Sequence, residues 1–170
     1  MLMSLLTVLL SLLTVLPGAV SQGIIWGIMV LGVFITFRML DIADLTVDGS
    51  FALGGSVAAV VSVNLGLDPL VAILLGMLAG VAAGLVTGIL HSVLDIPAIL
   101  AGILTQIALW SINLRVMGKS NTPLLNVDTV FTRLASLLGV SQVMATLIIG
   151  IVCATVVILL MYWFFGTEIG

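Results

Sequence analysis

The stretch Asp41-Ile-Ala-Asp44-Leu-Thr-Val-Asp48-Gly-Ser-Phe-Ala-Leu-Gly-Gly55 holds three of the chain's seven acids within eight residues. On either side, residues 1–37 and 49–67 carry no charged side chain. Acids at membrane depth are costly, and they are kept where protein, water or a partner compensates them. The stretch therefore marks a break between two apolar helices and the first place to look for function. Asp48 or Ser50 is placed to cap a helix starting at Phe51, while Gly49, Gly54 and Gly55 loosen or thin the chain. The segment reads as a broken or re-entrant element near 41–51. Irregular backbone at that depth is tolerated only where protein or a water-filled cavity solvates it. Transporters use such broken helices at substrate sites. The other reading is a plain hydrophilic loop between spans, in which the acids cap, pair with Arg38 or face water.

Across all 170 residues the hydrophobic fraction is 62%, the charged fraction 6% and the mean hydropathy +1.48. A soluble domain carries about 25% charged residues, so this chain cannot clothe a soluble surface. The fold class is all-α, a polytopic transmembrane helical bundle. Four Lys and Arg do not make the basic patch that a nucleic-acid partner needs. Cys153 is the single cysteine and forms neither an intramolecular disulfide nor a metal cluster. The sequence contains no H-E-x-x-H, G-x-S-x-G or P-loop pattern. It gives no sign of an enzyme, a bound metal or a cofactor, and any ATP hydrolysis belongs to another subunit. An intramembrane aspartyl protease needs two acids facing each other from separate helices, whereas Asp41, Asp44 and Asp48 share one short segment.

A helix needs roughly 20 apolar residues to cross the hydrocarbon core. The expected spans are 22–38, 51–67, 69–93, 97–114 and 141–165. Residues 1–16 are expected to form a short, partly inserted apolar helix with Ser4, Thr7, Ser11 and Thr14 on one face; a full span and a signal peptide are the alternatives. Asp68-Pro69 and Asp95-Ile-Pro97 each set an acid just ahead of a proline, which predicts tight turns and capped helix starts. Gly76, Gly80, Gly84 and Gly88 recur at every fourth position, a small-residue stripe for close helix packing, with solute lining as the alternative. Gln106 and Asn113 lie seven apart on one face, as interhelical hydrogen-bonding groups or as part of a solute path. His91 and Asp95 form an i,i+4 pair, structural or a proton relay. The long connection 115–140 contains a short surface helix over 130–138, and Tyr162-Trp-Phe-Phe165 is the kind of aromatic cluster found at a membrane–water boundary.

The run Gly32-Val-Phe-Ile-Thr-Phe-Arg-Met-Leu-Asp-Ile-Ala-Asp-Leu-Thr-Val-Asp-Gly-Ser-Phe-Ala-Leu-Gly-Gly resembles the permease subunits of bacterial ABC importers. More narrowly, it resembles the family of branched-chain amino acid and ribose-type permeases. Within it, Asp44-Leu-Thr-Val-Asp-Gly-Ser looks like that family's D-L-(S/T)-V-G-S signature. The likeness continues through Gly76-Met-Leu-Ala-Gly-Val-Ala-Ala-Gly-Leu-Val-Thr-Gly and Leu94-Asp-Ile-Pro-Ala-Ile-Leu-Ala-Gly-Ile-Leu-Thr. Leu45-Thr-Val-Asp-Gly-Ser-Phe and Ser111-Ile-Asn-Leu-Arg-Val-Met-Gly-Lys look most like a branch linked to aromatic amino acids such as tryptophan or tyrosine. The resemblance covers about residues 20–170.

The resemblance implies a multi-pass permease subunit of the bacterial plasma membrane, importing a small solute, an amino acid by this branch. It implies a second permease copy, a separate ABC ATPase, an extracytoplasmic binding protein and membrane lipid as partners. Asp44, Thr46, Asp48, Ser50, Gln106 and Asn113 are then expected beside the translocation path. Such permeases continue for further spans after a coupling helix, so the chain is expected to be an N-terminal part of the transmembrane domain. Thr167 and Glu168 would stand at the start of the ATPase-coupling region. The Lys/Arg count favours a cytoplasmic 115–140 loop, whereas the resemblance places that loop outside; the resemblance is followed. A secondary transporter using its acids for ion coupling and an ABC permease for sugars or nucleosides are the rival readings, with a purely structural membrane subunit as a third.

Overall fold

The computed structural model describes residues 2–39, 41, 44–125 and 127–167; for residues 2–6, 8–10 and 39 it describes the backbone alone. Among the described residues six α-helices follow one another: α1 (Leu2–Phe34), α2 (Thr46–Asn64), α3 (Pro69–Ser92), α4 (Ala98–Met117), α5 (Val130–Leu138) and α6 (Gln142–Phe165). A π-helical turn, Ile35–Met39, prolongs α1. No strand occurs among the described residues. The fold is thus all-α, and five stretches of the described residues are long and apolar enough to cross a membrane: Ser11–Arg38, Thr46–Asn64, Pro69–Ser92, Ala98–Met117 and Gln142–Phe165. Their outer faces carry large apolar side chains. Met77, Leu78 and Leu85 of α3 and Ile107 and Trp110 of α4 are each more than 60% exposed, a surface suited to lipid and costly in water.

Several boundaries depart from the sequence expectation. Where a short helix over 1–16 and a separate span from 22 are expected, α1 runs unbroken through Pro17. Proline removes one N–H and crowds one carbonyl. In a membrane helix such a gap is absorbed by local adjustment and neighbouring groups. Helix α2 begins at Thr46 rather than Phe51, because neither Asp48 nor Ser50 is its cap. Asp44 Oδ1 accepts from the Thr46 N–H at 2.8 Å and closes the first turn earlier. Gly49 is accordingly not a turn residue. It is buried inside α2, where an added Cβ would lie 3.0 Å from Leu109 Cδ1 and 3.5 Å from Gln106 Cα. Its missing side chain makes room for α4.

The two acid-before-proline junctions behave differently. Asp68 Oδ1 accepts from the Leu70 N–H at 2.9 Å, with Pro69 as the first residue of α3; this is the expected cap. Asp95 instead takes a left-handed φ of 53°, a conformation that Asp tolerates better than most residues. Helix α4 opens behind Pro97 without a side-chain cap.

The chain forms two compact units, Met29–Val130 and Met1–Ile28 with Phe131–Gly170. In the first, α2 packs against both α3 and α4. Its crossing with α3 is backbone on backbone: a Cβ added to Gly76 would lie 2.6 Å from Gly54 O, and one added to Gly54 would lie 3.0 Å from Gly76 O. Leu53, Ala83 and Leu109 form the buried apolar cluster, with Val57, Ala79 and Val116 packed against it. In the second unit, α6 meets α1 at Gly150, where an added Cβ would lie 3.1 Å from Ile24 Cγ2. Ala145 of α6 is fully buried.

Candidate functional site

The break ahead of α2 is held by its own polar groups. Asp44 caps Thr46, and the buried Thr46 hydroxyl lies 2.8 Å from that of Thr87 on α3. Thr87 Oγ1 also donates to Ala83 O at 3.4 Å, so a consistent proton order runs from Thr46 to Thr87 to Ala83. Gly102 of α4 lets the chain pass close: an added Cβ would lie 2.9 Å from Leu45 N and 3.3 Å from Asp44 Oδ1. The entry to α2 is thereby pinned between α3 and α4.

Beside this entry lies a cavity of about 150 Å³, lined by Thr36, Asp44, Gly84, Thr87, Gly88, His91 and Ala98. Thr36 belongs to the π-helical turn, a distortion that recurs at functional sites. Its hydroxyl donates to Val33 O at 3.0 Å. The floor is glycine: a Cβ added to Gly84 or Gly88 would meet nothing within 4 Å. His91 does not reach Asp95 in an i,i+4 pair, because α3 ends at Ser92 and Asp95 lies beyond it in a left-handed conformation. Its Nδ1 lies 2.9 Å from Ile96 O instead.

The residues singled out by sequence separate into distinct places. Of the six expected along a solute path, Asp44 lines the cavity and Thr46 stands directly behind Thr87. Asp48, exposed in the first turn of α2, accepts from Gln106 Nε2 at 3.4 Å. Ser50 Oγ donates to Val47 O of its own helix. Asn113 Oδ1 accepts from the buried Ser56 hydroxyl at 3.2 Å. Gln106 and Asn113 thus both bond α4 to α2. The glycine stripe also divides. Gly76 forms the backbone crossing, and Gly80 is in ordinary contact, 3.7 Å from Ser50 O for an added Cβ. A Cβ added to Gly84 or Gly88 would meet no atom of the described residues within 4 Å, and both border the cavity instead.

Thr167 Oγ1 donates to Phe164 O at 2.7 Å and closes the end of α6, while Glu168 lies outside the described residues. Sequence reading did not single out Thr36, Thr87, Gly102 or Ala98. Thr87 was open to discovery through its place one residue before Gly88 in the stripe. Thr36, Ala98 and Gly102 lie within the stretches that carry the family resemblance, but no residue-type pattern there marks them individually.

The model of the branched-chain amino acid transport system permease component family matches residues 15–170. The chain belongs to this permease family. Over 114 residues it is 41% identical to a tyrosine transport system permease protein of Clostridioides difficile (strain R20291), covering 67% of this chain and 38% of that protein. Over 120 residues it is 31% identical to an uncharacterized protein of Rickettsia prowazekii (strain Madrid E), covering 71% of this chain and 42% of the relative. The matched part of this permease thus spans about two-fifths of the length of these relatives. No solved structure matches it. Family and apolar helices together make it a multi-pass protein of the bacterial plasma membrane.

Proposed function

We propose that this permease forms part of the solute path of an ATP-driven importer for a small solute, an amino acid, and that the cavity beside Asp44 lies on that path. The observation that carries the reading is the cavity itself. It joins the helix break, the π-helical turn and the side-chain-free end of the α3 stripe in one place. Irregular backbone of this kind is tolerated in a membrane where it borders a cavity, and helix ends at such breaks are where transporters handle solutes. The tyrosine transport relative favours an amino acid, with aromatic ones first in line.

The family is one of transport-system permease components, and the energy is assigned to a separate ATPase docked on the cytoplasmic side. Delivery is assigned to an extracytoplasmic binding protein, and the pore to this chain with a second permease copy in lipid. Thr167 and Glu168 stand, in this reading, where coupling to the ATPase begins.

Uptake of radiolabelled amino acids by cells carrying the permease with its partners tests the proposal. Vanadate is expected to stop uptake, while an uncoupler leaves it running as long as ATP lasts. Uptake that survives vanadate and collapses with the uncoupler would replace the importer with an ion-coupled secondary transporter. Uptake confined to sugars or nucleosides would keep the machinery and overturn the substrate class.

A further inference from the structure

Donors and acceptors on the cavity wall are unequally spent. The Thr36 hydroxyl donates to Val33 O. Thr87 donates to Ala83 O, and in that order it accepts from the Thr46 hydroxyl. A carbonyl only accepts, so the 2.9 Å contact of His91 Nδ1 with Ile96 O places a proton on Nδ1. In the uncharged ring, Nε2 is then an acceptor. Asp44 spends Oδ1 on the Thr46 N–H and keeps Oδ2; a carboxylate oxygen donates nothing. The remaining lining residues, Gly84, Gly88 and Ala98, have no polar side chain. Among the described lining residues the side-chain protons are therefore committed to the protein's own groups, while acceptor capacity and one negative charge remain.

The complement of such a wall is a cation with several N–H donors. The last turns of α3, which carry Gly88 and His91, add the negative end of a helix dipole. Two helix starts oppose this: Asp44 itself sits at the start of α2 and Ala98 opens α4 without a side-chain cap, and open N–H groups at a helix start favour an anion. The carboxylate charge at Asp44 together with the C-terminal end of α3 outweighs two helix starts of about half a charge each. The volume, about 150 Å³, is of the size that holds a benzene-sized molecule.

We propose that this cavity is an ammonium subsite, which receives the primary amino end of the solute with Asp44 Oδ2 as its counter-ion. The proposal rests on the solute-path reading above. Its test is thiol protection in the full-length protein with Cys153→Ser, any other cysteine removed, and Gly88→Cys, a position where an added Cβ meets nothing within 4 Å. Labelling by a small methanethiosulfonate is followed in the presence of n-propylammonium, n-propanol or propionate.

Propylammonium alone is expected to slow labelling severalfold. Asp44→Asn is expected to abolish that protection, although its amide oxygen still accepts from the Thr46 N–H and preserves the helix start. Labelling that ignores propylammonium would overturn the subsite and leave the path reading standing. Protection by propionate would overturn it in favour of the open helix start at Ala98. If the introduced thiol fails to label at all in folded, membrane-inserted protein, the cavity is not open to water and both readings fall.

Discussion

At the scale of single residues, most hydroxyls of this permease bond a carbonyl of their own helix, and a few polar pairs fasten α2 to α3 and α4. The Thr46–Thr87 pair is the most buried example, with Thr46 1% and Thr87 7% exposed. Replacing Thr46 by Val keeps the shape and removes the bond, which is expected to cost about 1 kcal/mol. Thr46→Val/Thr87→Val is expected to cost less than the sum of the two single changes, as measured by denaturant midpoints in detergent. Strict additivity would show that the two hydroxyls are not coupled. Thr105 gives the opposite case. Its Oγ1 is buried with no hydrogen-bond partner among the described residues, and an unpaired buried hydroxyl destabilises. Thr105→Val is therefore expected to raise the midpoint, by about 1 kcal/mol. A lowered midpoint would reveal a partner for that hydroxyl, such as a bound water.

At the scale of elements, the glycines of α3 have two uses that the sequence pattern does not separate. A Cβ at Gly76 would collide with Gly54 O at 2.6 Å, whereas one at Gly84 would enter open space. Gly76→Ala is expected to destabilise by about 1–3 kcal/mol through overpacking of the α2–α3 crossing. Gly84→Ala is expected to be neutral, or stabilising by up to about 1 kcal/mol from helix propensity alone. Equal effects of the two changes on thermal unfolding would refute this division of the stripe. The spacing of four announced a smooth helix face, but which glycines touch a neighbour depends on where α2 crosses, and that is a tertiary fact. The same holds for Gly49, which reads locally as a breaker beside three acids and is in the structure a gap for Leu109. What was legible had local causes. Apolar runs long enough to span gave the helices, and Asp68-Pro69 gave a capped start. What was not legible was of two kinds: choices among competing local partners, as with Asp44 rather than Asp48 or Ser50 at the start of α2 and Ile96 O rather than Asp95 for His91, and close approaches set by where α2 crosses, as at Gly49 and Gly76.

For the molecule as a whole, the solute-path reading separates from a purely structural one by filling the cavity without disturbing the fold. Gly84 serves this purpose, because its site has space, lies within a helix and borders the cavity. Gly84→Leu adds a side chain that grows into that volume, so protein level and assembly with the ATPase should persist while uptake falls by an order of magnitude or more. Asp48→Asn supplies the contrast. Asp48 is exposed, lies off the cavity lining and accepts a long bond from Gln106. Its replacement keeps an acceptor oxygen, so the structure argues for a smaller loss than a place directly on the path would bring. Uptake measured beside ATPase co-purification distinguishes the outcomes. If Gly84→Leu leaves uptake intact while Asp48→Asn abolishes it, the path runs along the α2–α4 face that carries Asp48 and Gln106, and the cavity beside Asp44 is a by-product of the helix break. If both leave uptake intact, the segment 41–55 returns to a plain connection between spans. A loss confined to Gly84→Leu fixes the path at the side-chain-free end of α3, the one arrangement in which the glycine stripe, the helix break and the π-helical turn share a single use.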